Sequence, residues 1–402
     1  MRRRTRRTGP VATLLTALGL AAGLVAGPAS PAAAAVPPEG PAGDAFYTPP
    51  NPLPPGRPGD VIRQRRLSDT ATATTYLVLY RSTTATGAPM AVSGTVAVPK
   101  GRNLATTPIV SSAPGTLGLG DNCAASKNPL IAGVMTPSAF VEKGFAVATT
   151  DYEGLGTPGT HTYVVGRSEG HAVLDAARAA QRLGVGLRAT APVGLFGYSQ
   201  GGGGAAWAAE LAASYAPELQ VKGTAAGGIP ADMVAVGKAL DGALGFGFLA
   251  AAAGGFDAAY PELDLEKYLN AAGRQAFAQN QNACVDALIL NFAFHRIAEY
   301  TTTNPLQRPE WQARLRENSL GGVAPSAPVY QWHGFFDEIL PYDQAAALWR
   351  TWCRKGVKVT FQGTYDEHVG GLAGSGLTAA VQYLSDRFAG KPAGDNCALS
   401  GA

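Results

Sequence analysis

Charge is scarce in this 402-residue chain: Asp, Glu, Lys and Arg make up 15% of it, against 46% hydrophobic residues. That balance excludes a disordered, self-solvating chain and predicts a sizeable buried core. Histidine is scarcer still, at five residues, and the four cysteines include no Cys-x-x-Cys pair and no closely spaced Cys/His cluster. A zinc site is therefore not expected, and no phosphate loop or dinucleotide fingerprint calls for another cofactor. Long apolar runs are lacking too. The one that stands out, Val11 to Ala26, is shorter than the roughly 20 residues a membrane-spanning helix needs.

That run has another reading. It follows Arg2, Arg3, Arg4, Arg6 and Arg7 and precedes the small-residue stretch from Pro28 to Ala35. A basic start, an apolar middle and a small-residue end make a signal peptide, with cleavage expected after Ala35. Arg6-Arg7 hints at twin-arginine export, but no strongly apolar pair follows, so the route stays open. Removing residues 1–35 takes away five Arg and no acid, so the formal net charge falls from +3 to −2. The basic character belongs to the leader, and nothing argues for nucleic-acid binding. In an exported chain, Cys123, Cys284, Cys353 and Cys397 read as two disulfides, with three pairings open.

Residues 36–59 are rich in Pro and Gly and read as an extended surface arm. Tyr76–Tyr80 and Val92–Val98, separated by Thr86-Gly87-Ala88-Pro89, predict an antiparallel hairpin. Strand–helix alternation follows: strands at Pro108–Ser112, Phe145–Thr150, Val193–Phe196 and Val221–Ala226, with helices at Gly170–Leu183 and from Gly201 to about Tyr215. This pattern implies an α/β fold with a mostly parallel sheet covered on both faces. From 229 to 326 the strand signal stops. Ala239–Ala253, Leu263–Ala278, Cys284–Tyr300 and Glu310–Glu317 read as helices of an inserted cap or lid. Strands return at Val329–His333 and Val357–Phe361, and an amphipathic helix spans Gly376–Phe388. The sheet domain thus comprises 60–228 and 327–402.

Gly-x-Ser-x-Gly marks the strand–turn–helix bend that exposes a serine hydroxyl above a sheet. The chain carries it twice, at Gly166-Arg167-Ser168-Glu169-Gly170 and at Gly197-Tyr198-Ser199-Gln200-Gly201. Matching the pattern cannot choose between them; the surroundings can. The stretch before Ser168 follows the strand ending near Asp151 by a short Gly/Pro-rich link, Tyr152–Thr160, which cannot supply the helical crossover a parallel strand needs. Ser199 follows a strand that a full helix precedes, and Gly201-Gly202-Gly203-Gly204 after it permits close packing. The backbone N–H after the nucleophile must also stabilise an oxyanion. Glu169 would put a carboxylate there, whereas Gln200 adds no charge. Ser168 reads instead as the N-cap of its helix, with Glu169 complementing the dipole.

A serine hydroxyl needs a base. In α/β-hydrolases the acid and then the histidine follow the serine, the histidine on a loop after the last strand. His161 and His171 precede Ser199; His295 reads as packed within the cap helices, and His333 as a structural or supporting residue at a strand end. His368 follows Val357–Phe361 and the loop Gln362–Glu367, which is where the base belongs. Asp337, just after strand Val329–His333, is the acid that would hold the imidazole in its working tautomer. Glu338 is a rival, as is Asp366, which sits too close to His368 in sequence to face it readily. A second oxyanion donor is expected after Pro108–Ser112, at the N–H of Gly115 or Thr116, since Pro114 has none.

With these residues assembled, the chain resembles the secretory lipases of the lipase A type. The similar features are the Phe46-to-Gly56 arm, Gly115-Thr116-Leu117-Gly118 with Cys123-Ala124-Ala125-Ser126, Asp151 to Gly156, Gly197 to Gly201, Trp332 to Pro341, and Glu367-His368. The resemblance implies an α/β-hydrolase fold with a helical lid, a Ser199–Asp337–His368 triad, and disulfides Cys123–Cys284 and Cys353–Cys397. Relatives often carry a polar residue where Pro114 stands, a departure on the oxyanion side. The expected chemistry is hydrolysis of carboxylic esters through an acyl-enzyme, with lipid esters favoured by the apolar cap and contact with a lipid–water interface allowed. Short-chain, aryl or polymeric esters are the alternative. A secreted serine peptidase of the same fold and a non-catalytic secreted binding protein are the remaining rivals. Oligomeric state is not readable.

Overall fold

The computed structural model describes residues 8–9, 36–128 and 138–401; the leader expected over 1–35 otherwise lies outside them. Three strands come first: β1 (Val61–Asp69), β2 (Ala73–Thr83) and β3 (Pro89–Pro99). β2 and β3 form the expected antiparallel hairpin, with Tyr80 opposite Val92. β1, antiparallel to β2, has no counterpart among the expected strands. It is a half-exposed edge strand whose Arg63-Gln64-Arg65-Arg66 centre needs no apolar face. The arm at 36–59 does more than lie on the surface. Phe46 and Tyr47 bury their rings beside Leu77 and Leu79 of β2.

The alternating part runs β4 (Ile109–Ala113), α1 (Ser138–Glu142), β5 (Ala146–Thr150), α2 (Gly166–Arg182), β6 (Pro192–Tyr198), α3 (Gln200–Tyr215) and β7 (Gln220–Gly227). Six helices follow: α4 (Met233–Leu240), α5 (Phe246–Ala259), α6 (Ala271–Asn280), α7 (Val285–Phe292), α8 (Ile297–Tyr300) and α9 (Pro309–Glu317). The chain closes with β8 (Val329–Gly334), α10 (Tyr342–Arg354), β9 (Val359–Thr364), α11 (His368–Ala373) and α12 (Ser375–Phe388).

The strands make one sheet in the order β1-β2-β3-β5-β4-β6-β7-β8-β9. Pairing is antiparallel as far as β3–β5 and parallel from β5 to β9. Alternate residues of a strand face opposite sides, and two cores result. Ile109, Val193 and Leu195 pack with Ala172 and Leu174 of α2, Ala205 of α3 and Trp352 of α10. Val110 and Phe196 pack on the other face with Phe140 of α1 and Leu384 of α12.

β7 and β8 are parallel neighbours, with Gly227 opposite Trp332, so α4–α9 leave the sheet and return to it. They bury a core that includes Phe246, Phe256, Leu288, Phe292 and Trp311 and is shared with Tyr163, Val165, Ile339 and Leu340 from beyond the segment. The run expected over Glu310–Glu317 is present as α9, but the other three are interrupted. The run expected over Ala239–Ala253 stops at Leu240, because Gly242 takes a φ of +84° and Asp241 turns to accept the Ile297 N–H at 2.8 Å. The run expected over Leu263–Ala278 becomes two 3-10 turns and then α6, which Asn270 caps. The run expected over Cys284–Tyr300 breaks at Phe294, whose φ is +67°. His295 sits in that break rather than packed in a helix; its side chain is 41% exposed and pairs with Glu299 at 2.6 Å.

Disulfides Cys123–Cys284 and Cys353–Cys397, the pairing the resemblance implies, are both present. The second ties α10 to the C-terminal tail. The first ties the loop after β4 to the residue preceding α7.

Candidate active site

The bend that carries Ser199 follows from its glycines. A Cβ on Gly197 would lie 2.0 Å from the Gly201 carbonyl oxygen, and one on Gly201 would lie 2.0 Å from that of Ala113. No other residue fits either place, so strand, turn and helix pack at contact distance. Ser199 itself takes φ 60°, ψ −125°, a conformation most side chains avoid and one that surrounding contacts must enforce. Two do so directly: its N–H donates to Gly227 at 3.0 Å, and its carbonyl accepts from the Gly203 N–H at 3.0 Å.

The sheet topology brings His368 and Asp337 to this bend from neighbouring strand ends. Nε2 of His368 lies 2.9 Å from the Ser199 hydroxyl, and Nδ1 lies 2.8 Å from an Asp337 carboxylate oxygen. His368 is the first residue of α11, where its own N–H has no helical acceptor; Glu338 accepts it at 3.0 Å. Tyr198 donates its hydroxyl to the His368 carbonyl at 2.7 Å and stacks on Trp332, whose indole N–H donates to Gly371. The first turn of α11 is thus fastened at three points. Of the rival acids, Glu338 serves the His368 backbone, and Asp366 makes no hydrogen bond to the ring.

Asp337 has no exposed side-chain surface. Burial pushes its carboxyl up, but the hydrogen bond and charge of His368, the nearby His333 and the Leu340 N–H outweigh burial, and it is held below the ordinary carboxylate value. Its second oxygen accepts the N–H groups of Ile339 and Leu340 at 3.0 and 2.8 Å. His333, fully buried, places Nε2 2.9 Å from the Leu340 carbonyl and 3.4 Å from Asp337. His333 has its pKa lowered by burial, against the opposing pull of Asp337 and the Leu340 carbonyl. It supports the acid without competing for it.

On the oxyanion side, Gln200 is the first residue of α3, so its backbone N–H lacks an intrahelical acceptor. Gly115 and Thr116 lie in a buried loop after β4. Gly201 backs directly onto the Ala113 and Pro114 carbonyls at the head of that loop. Tyr152 donates to the Pro114 carbonyl at 2.8 Å, and the Thr116 hydroxyl bonds that of Tyr163 at 2.7 Å. Two backbone bonds, Leu119 N–H to Ala283 and Val285 N–H to Leu117, both 2.8 Å, run beside the Cys123–Cys284 bridge and pin the loop to the helical segment. Ser199 and Gln200 open into a narrow apolar cavity of about 50 Å³, lined from the helical segment by Met233, Val236, Leu240, Phe248 and Leu249.

The second motif is organised differently from its expected role. The N-cap of α2 is Val165, and Ser168 stands inside the first turn with its hydroxyl donating to the Glu153 carboxylate. α2 starts at Gly166, four residues before the expected Gly170. Glu169 stands in the first turn, with burial pushing its carboxyl up to about 8. It accepts the Val164 N–H at 2.9 Å and the side-chain amide of Gln200 at 2.7 Å. Sequence reasoning missed this contact, and likewise the 3.1 Å approach of His161 Nε2 to the same amide. The recurrence of the motif was its only trace.

Among the described residues, no His/Cys/Asp/Glu cluster is placed to hold a metal ion. No described helix is long and apolar enough to cross a membrane.

Comparison with known proteins adds the family. Residues 132–396 match the secretory lipase model. The secreted triacylglycerol lipase LIP7 of Malassezia globosa is 31% identical over 386 residues, 88% of this chain and 81% of that protein. A Mycobacterium tuberculosis protein named a probable inactive lipase is 31% identical over 89% of this chain and 84% of its own. Among solved structures, lipase A of Candida antarctica in its closed state superposes with a TM-score of 0.78 at 27% identity, covering 87% of this chain and 86% of that one. The mostly parallel sheet with helices on both faces is the α/β-hydrolase fold, and the chain belongs to the secretory lipase family.

Proposed function

We propose that the chain is a secreted carboxylic ester hydrolase that works through an acyl-enzyme on Ser199, with lipid esters as its substrates. The observation that carries this reading is the continuous hydrogen-bonded line from the Ser199 hydroxyl through His368 to Asp337. In it, the Ser199 oxygen attacks the ester carbonyl while His368 Nε2 takes the hydroxyl proton. Asp337 holds the ring by Nδ1 and stabilises the imidazolium. The carbonyl oxygen, now an anion, is met by the backbone N–H of Gln200 and by that of Gly115 or Thr116. His368 returns the proton to the departing alcohol, and a water activated by the same ring releases the acid.

The helical segment 229–326 acts as a lid. Its apolar side chains, among them Met233, Val236, Leu240, Phe248 and Leu249, line the narrow cavity at Ser199. A lid of this kind both shields the site and can move to admit an acyl chain. Its apolar composition favours a lipid acyl group over a peptide. The sequence features of residues 1–35 and the two disulfides support export.

A second reading has one observation behind it: the related protein named inactive. A p-nitrophenyl ester series from acetate to palmitate, with a peptide amide panel alongside, separates the possibilities. The proposal expects ester turnover that Ser199→Ala abolishes, no amide cleavage, and a rate that persists or rises with acyl length. Absence of turnover on every ester would overturn it in favour of a binding role.

A further inference from the structure

The Gln200 side chain is buried directly behind the bend, at 3% exposure, with His161 and Glu169 at 1% and 2%. A primary amide nitrogen has two hydrogens, and both are engaged: one to Glu169 Oε1 at 2.7 Å, the other to His161 Nε2 at 3.1 Å. Each partner is itself oriented. Nδ1 of His161 faces the Glu153 carbonyl at 2.8 Å, so it carries the ring proton and leaves Nε2 as an acceptor. Glu169 Oε1 is fixed by the Val164 N–H at 2.9 Å.

A buried amide this close to the nucleophile is costly unless fully bonded, and a bend of this type needs no polar side chain at that position. The same residue carries the backbone N–H expected to meet the oxyanion. The strained Ser199 backbone requires contacts that hold the turn on both sides. Gly227 does so from the sheet, and the Gln200 amide does so from the loop and first turn spanning residues 161–169. Burial lowers His161 to about 4 and raises Glu169 to about 8, which favours the neutral form of both partners.

We propose that Glu169 and His161 are positioning residues for the oxyanion donor: by gripping the Gln200 amide they hold the Gln200 backbone N–H on the developing negative charge. The second Gly-x-Ser-x-Gly motif thereby supplies, through Glu169, a brace for the first. This inference rests on the ester-hydrolysis reading above.

The test is steady-state hydrolysis of p-nitrophenyl butyrate by the full chain, with active sites titrated by a fluorophosphonate, and inhibition by an alkylboronic acid as a tetrahedral analogue. Gln200→Ala and Glu169→Leu are expected to lower kcat about 10- to 100-fold with KM within about twofold, less than the full loss of a donor. The boronic acid Ki should weaken in step. Glu169→Gln keeps the Oε1 acceptor and is expected to recover activity to within about threefold of wild type. Variants that melt earlier but keep wild-type kcat per titrated site and wild-type Ki would overturn the proposal. So would a Glu169→Gln defect as deep as that of Glu169→Leu. If Glu169→Leu does not fold, Gln200→Ala, which only shortens a side chain, decides alone. Turnover surviving in Ser199→Ala would sink the underlying reading; an inert Ser199→Ala beside an unimpaired Gln200→Ala would sink the brace only.

Discussion

Nε2 of His368 stands 2.9 Å from the hydroxyl of Ser199, although 169 residues separate the two in sequence. A general base worth its usual factor makes His368→Ala lose at least about a hundredfold in kcat/KM. Ser199→Ala should abolish turnover. Ser168→Ala should retain it, because that hydroxyl is committed to Glu153. Ester kinetics on the three variants provide the check. Turnover kept by Ser199→Ala and lost by Ser168→Ala would reverse the choice between the two motifs.

The two disulfides should differ in what they govern. Each closes a long loop, with separations of 161 and 44 residues, and removal of either is expected to cost about 3–5 kcal/mol. The Cys353–Cys397 bridge holds only the C-terminal tail, so Cys353→Ser/Cys397→Ser should lower the melting temperature and spare kcat. The Cys123–Cys284 bridge lies beside the loop bearing Gly115 and Thr116. Cys123→Ser/Cys284→Ser should lower both, as melts and kinetics run in parallel will show.

Glu169 ties stability to pH. Its folded value, raised from 4.5 to about 8, means the folded state binds a proton the unfolded state has released. Stability is therefore lost as pH rises from about 4.5 through about 8. Glu169→Gln removes that dependence. Relative to wild type, its stability should improve by a few kcal/mol between pH 5 and pH 9. His161, lowered to about 4, titrates alike in both proteins and cancels. Urea melts across this range test the sign; a difference that does not change with pH would refute it.

At the bend, Gly197→Ala and Gly201→Ala each put a Cβ 2.0 Å from a carbonyl oxygen. Overpacking of this kind typically costs about 1–3 kcal/mol, and here it also displaces Ser199. Both variants should lose stability and most activity. Gly322→Ala, whose Cβ would meet nothing within 4 Å, serves as the control and should match wild type in both measurements.

What the sequence disclosed follows from where each signal resides. Ser199, Asp337 and His368 were legible because each sits just past a strand end, in a fixed chain order. The parallel strands were legible because both faces are buried and their apolar runs are continuous. β1 was not, since an edge strand with Arg63, Arg65 and Arg66 looks like a loop. The breaks at Asp241–Gly245 and Phe294–Arg296 were hidden inside apolar stretches that read as unbroken helices. The grip on Gln200 was out of reach for another reason: its partners lie 31 and 39 residues away, and only the folded chain brings them together.

The bridge at Cys284 also limits how the helical segment beside Ser199 can move. A segment held only where it joins β7 and β8 could swing as one body. A third fastening, through Cys284 and the paired backbone at Leu117–Leu119, removes that freedom. On the lid reading, opening would have to flex within the segment, with the interruptions at Asp241–Gly245 and Phe294–Arg296 as its hinges. The pivot would then be the loop that carries Gly115 and Thr116, so access to the site and the aim of the proposed oxyanion donors would move together.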